Sequence, residues 1–107
     1  MEENVQNNTS IRYINFTPSD SFKHLAWQAR NQLYTSAPKF SRISMMFEKQ
    51  GDHYNGFTTI DTNGRTFVGF SSNENILVTL RDVEGQLKKQ IIMERQASYE
   101  IRYKKTS

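Results

Sequence analysis

From Ser41 to Gln50 the chain alternates. Ile43, Met45 and Phe47 fall on one side, and Arg42, Ser44, Met46 and Glu48 on the other. A period of two predicts a strand buried on one face. Two other segments follow a helical period. Phe22, Leu25, Ala26, Ala29 and Leu33 recur along one, and Ile76, Leu80, Val83 and Leu87 are spaced four, three and four along the other. Each pattern gives a helix one apolar stripe to lay against a sheet. Residues 9–16, TSIRYINF, are rich in β-branched and aromatic types and predict a first strand. HYNGFTTID and RTFVGFSS predict two more strands, with Gly56 a candidate bulge.

Punctuation between these segments sets the order. Thr17-Pro18-Ser19-Asp20 is a helix start, with Thr17 as N-cap, Pro18 at the first helical position and Asp20 near the positive dipole end. That helix is expected to stop around Ser36, ahead of Pro38. Gln50-Gly51-Asp52 is a turn. Thr62-Asn63-Gly64 is a hairpin signal, because Asn-Gly accepts the positive φ of a tight turn. Ser71-Ser72-Asn73 is expected to cap the second helix, which should fray near Met93. In SYEIRYKKTS, Tyr99, Ile101 and Tyr103 alternate with polar residues and suggest a loosely docked strand or, by preference, a basic tail.

The expected architecture is a two-layer α+β domain, β-α-β-β-β-α, with a four-stranded sheet and both helices on one face. Residues 1–8 are expected to be disordered, residues 9–93 to form the domain, and residues 94–107 to form a C-terminal tail. A length of 107 residues suits one domain, and 36% hydrophobic residues with seven Phe and five Tyr supply a modest core.

Composition narrows the chemistry. Cysteine is absent, which excludes disulfides, thiolate metal sites and cysteine nucleophiles. No apolar run reaches membrane-spanning length and MEENVQNNTS has no signal-peptide core, so a cytoplasmic protein is expected. His24 and His53 lie far apart, the carboxylates are scattered, and the glycines form no phosphate-cradling loop. The expectation is a non-enzyme with no cofactor, metal or small-molecule substrate. A small hydrolase or isomerase would need titratable candidates that the chain does not supply.

Fourteen Lys and Arg against eleven Asp and Glu give a net charge of +3, so an anionic partner requires local clustering. Arg81, Lys88 and Lys89 project away from the apolar stripe of the second helix. Lys23, Trp27, Arg30 and Tyr34 form a cation–aromatic stripe on the first, a combination suited to RNA phosphates and bases. Arg42, on the outer side of its strand, is the sixth candidate cation. Each has a purely structural reading as well. Lys88 and Lys89 near a helix end offset its dipole by a few tenths to about one kcal/mol. Trp27 and Tyr34 suit the edge of the core beneath basic stems.

The element order, the strand–cap–helix junction, the four apolar positions from Ile76 to Leu87 and the Gln86-Leu87-Lys88-Lys89 ending together resemble one family. It is the ribosome hibernation promoting factor family, also called the ribosome-associated inhibitor or sigma-54 modulation family. The resemblance covers roughly residues 10–92. It implies a bacterial, monomeric protein of the short form, without a further dimerisation domain. It also implies binding through rRNA in the mRNA and tRNA channel of the small ribosomal subunit, blocking translation under stress or in stationary phase. Gly85 and Ile91 stand where relatives usually carry cations, which thins the basic surface. A reading from another class is a protein-interaction module that keeps the fold without ribosome binding and works through a sheet edge or the Tyr-rich end.

Overall fold

A computed structural model describes residues 9–106, and residues 11–97 with their side chains. The chain runs β1 (Thr9–Ile14), α1 (Asp20–Ser36), β2 (Arg42–Gln50), β3 (His53–Thr62), β4 (Arg65–Asn73) and α2 (Ile76–Thr106). The strands lie in the order β1-β2-β3-β4, β1 parallel to β2 and the other pairs antiparallel. This is the expected β-α-β-β-β-α architecture. The segment expected to be disordered, residues 1–8, lies outside the described residues.

Alternation and helical period meet in one core. Ile43, Met45, Phe47, Ile60 and Phe67 from the sheet close on Phe22, Ala26, Ala29 and Leu33 of α1 and on Leu80, Val83, Leu87 and Ile91 of α2. Tyr13 stacks on Phe47 and meets Phe16 and Phe22 edge-on. Burial pushes its phenol up to about 12, since the charged form is poorly solvated there.

Four local expectations are revised. Ser19, not Thr17, caps α1, and its Oγ accepts from the Phe22 N–H at 3.1 Å. Ser71, Ser72 and Asn73 belong to β4. The cap of α2 is Asn75, whose Oδ1 accepts from the Leu77 N–H at 2.9 Å. Gly56 is no bulge, because the register through it is continuous on both sides. It is instead a point of close approach, where a Cβ would lie 2.6 Å from Thr79 Cγ2 of α2. Lastly, α2 does not fray near Met93 but holds helical backbone to Thr106, across the stretch expected to be strand or tail. The Asn63-Gly64 hairpin is as expected, with φ of 41° and 78° and Thr62 paired to Arg65.

The edge strand β4 is sealed by α2. Asp82, Gln86, Gln90 and Glu94, four residues apart, meet Ser71, Phe70, Val68 and Arg65 in turn. Gln86 and Gln90 each donate to one backbone carbonyl and accept from the N–H of the same residue, at 2.6 to 3.2 Å. Side-chain amides thus take the place of a fifth strand.

Candidate nucleic-acid interface

Five of the six expected cations lie on the helical layer. Glu84, 5% exposed, sits between two of them. Its carboxylate is 3.4 Å from Arg81 and 3.2 Å from Lys88, an arrangement the offsets of three and four allow within one helix. Lys88 also reaches across to α1, donating to Gln32 Oε1 at 3.4 Å. With Asn31, Thr35 and Ser36 these residues line a shallow cleft between the helices. Further along, Arg95 donates to the Ser36 carbonyl at 2.6 Å and so satisfies the C-terminal end of α1. Lys89 is exposed on the solvent side.

On α1, Lys23 is half exposed and 3.8 Å from Asp20. Arg30 lies over both aromatic neighbours, 5.3 Å from the Trp27 ring centre and 4.8 Å from that of Tyr34. It also donates to Asn31 Oδ1 at 3.0 Å. Burial there pulls the Arg30 guanidinium below its ordinary value, an effect Tyr34 partly offsets. Trp27 and Tyr34 remain 45% and 43% exposed. The stripe is therefore a preassembled cation–π row with ring surface still open to solvent. Arg42 leaves the sheet on the face opposite the helices and does not join the other five.

Three contributors were missed in the sequence. Glu84 was legible from its spacing to Arg81 and Lys88, but the sequence does not show that its carboxylate is buried. Arg95 fell in the stretch expected to be tail. Phe40, with φ of 65° and 91% exposure, had no local signal beyond its place in a loop.

Away from these groups, the described residues hold a close pairing of titratable side chains in a hairpin. His53 Nδ1 lies 2.7 Å from Asp52 in an exposed hairpin, and that hydrogen bond holds the Asp52 carboxyl below its usual range. Among the described residues no three His, Asp or Glu side chains gather to hold a metal. Nor is any described helix long and apolar enough to cross a membrane.

No family model and no curated protein sequence matches the chain. In structure it is similar to the N-terminal domain of Protein Y from Thermus thermophilus. That match has a TM-score of 0.67 and 10% identity, and covers 77% of this chain and 91% of that one. It is also similar to a ribosomal subunit interface protein from Coxiella burnetii, with a TM-score of 0.68 and 12% identity, over 82% of this chain and 97% of that one. At these identities the likeness is one of fold. That fold is the one the resemblance to the hibernation promoting factor family implied.

Proposed function

We propose that this chain is a ribosome-binding member of the hibernation promoting factor family. It would occupy the mRNA and tRNA channel of the small ribosomal subunit and block translation reversibly, in the cytoplasm, under stress or in stationary phase. The observation that carries the reading is the coincidence of two independent features. The fold is shared with a ribosomal subunit interface protein, and the helical layer carries Lys23, Arg30, Arg81, Lys88 and Lys89 on its outer flanks. Inhibition needs no catalytic group: a rigid wedge held on rRNA phosphates excludes mRNA and tRNA sterically. Each phosphate contact releases counterions, so affinity falls steeply with salt.

Lys88→Glu with Lys89→Glu tests this by co-pelleting with ribosomal particles from stationary-phase cells. The parent protein should pellet at low salt and dissociate at high salt, and the double variant should stay in the supernatant while keeping its circular dichroism. Arg42→Glu, on the far face of the sheet, distinguishes a wedge gripped on both faces from one gripped by its helices alone. A second reading, an interaction module without ribosome affinity, is favoured by Glu84, which offsets Arg81 and Lys88. It predicts that the unaltered protein never leaves the soluble fraction.

A further inference from the structure

Phe40 gives the fold little and costs it something. It stands in the connection from α1 to β2, 91% exposed, with φ of 65°. Left-handed backbone is unfavourable for any residue with a Cβ, and more so for a bulky one. Glycine would hold the same turn without strain and without an exposed ring. A strained aromatic that packs so little of itself against its own protein suggests an external contact.

The surroundings indicate which contact. Phe40 lines an open cleft at the end of α1 with Tyr34, Thr35, Ala37, Pro38 and Lys39. Tyr34 is 43% exposed and adjoins the Arg30 guanidinium, and Lys39 is exposed. The lining thus offers two rings and a cation, with no carboxylate among its residues. Six lining residues are far fewer than the roughly 20–30 a side that a stable protein interface uses. They are enough for one planar ring.

We infer that this cleft receives an unpaired base of single-stranded RNA, stacked on Phe40 and Tyr34, with Lys39 meeting its phosphate. Stacking needs only a base's π-face and tolerates any sequence, whereas a base held within a duplex has no face to offer. The inference rests on the RNA-directed reading above but adds a base contact to its phosphate contacts.

The intact protein, titrated with a short single-stranded oligoribonucleotide carrying a central 2-aminopurine, should quench that base's fluorescence. The duplex form should be quenched far less. Phe40→Gly should weaken the single-strand titration about tenfold or more, with a melting temperature equal to or above that of the parent. Phe40→Trp should retain binding. Equal quenching by parent and Phe40→Gly, equal quenching of single strand and duplex, or no quenching by the parent would each overturn the inference. Two outcomes separate the two readings. A parent that pellets with ribosomes but quenches no base leaves the ribosome reading standing alone. A parent that quenches through Phe40 but never pellets leaves only the base site.

Discussion

One methyl group has opposite consequences at two glycines. At Gly56 a Cβ would lie 2.6 Å from Thr79 Cγ2 and 3.3 Å from both Phe47 and Val83 side-chain atoms. Thr79 has little room to yield, being fully buried with its Oγ1 donating to the Tyr54 carbonyl at 3.0 Å. Gly56→Ala should therefore push α2 off the sheet and destabilise the fold by about 1–3 kcal/mol. At Gly85, mid-helix and exposed, a Cβ would meet nothing within 4 Å. Gly85→Ala should stabilise by up to about 1 kcal/mol, the difference in helix propensity. Urea denaturation of both variants checks the signs, and a stabilised Gly56→Ala would refute the close-approach account. A glycine inside a strand signals either a bulge or a near neighbour. Only the position of α2 decides between them, so Gly56 was misjudged from sequence while the Asn63-Gly64 turn, a purely local matter, was not.

Between elements, the contact that most needed the structure is the one from α2 to β4. Gln86 and Gln90 hold the outward N–H and C=O groups of Phe70 and Val68, the groups an edge strand would otherwise present to another chain. Gln86→Ala with Gln90→Ala should cost about 1 kcal/mol per side chain. It should also make the protein associate as its concentration rises, measured by size exclusion with light scattering. A double variant that stays monomeric throughout would show that the amides do not guard this edge. The stripe Asp82, Gln86, Gln90, Glu94 is visible in the sequence as a spacing of four, but its target is not. Which strand lies at the edge depends on pairing between distant segments, whereas the apolar stripes and β2 alternation report burial directly. The length of α2 was missed for a different reason. Tyr99, Ile101 and Tyr103 mimic a strand period, yet no glycine or proline after Gly85 stops the helix, and residues 93–97 include strong helix formers.

Across the whole molecule, net charge says less than where the carboxylates sit. A surplus of +3 over 107 residues does not by itself hold a polyanion, and Glu84 reduces the effective charge where Arg81 and Lys88 meet. The carboxylate is buried while its partners are not: the side chains of Arg81 and Lys88 are 61% and 45% exposed, against 7% for Glu84. RNA approaching from solvent would thus compete with one internal anion for two outward-reaching cations. Glu84→Gln keeps the size and hydrogen-bonding reach of the side chain and removes only its charge. The two cations stay solvated, so the variant should remain folded, as thermal melting would show. If the helical layer faces rRNA, Glu84→Gln should pellet with ribosomal particles more tightly than the parent at low salt. The logarithmic salt slope should steepen by roughly one contact, the one charge removed, and the gain should vanish at high salt, where counterion release no longer favours binding. Unchanged or weaker pelleting, with the fold intact, would mean that Arg81 and Lys88 serve α2 and its seam with α1 rather than RNA. Any ribosome contact would then have to rest on the remaining candidates, Lys23, Arg30, Lys89 and Arg42.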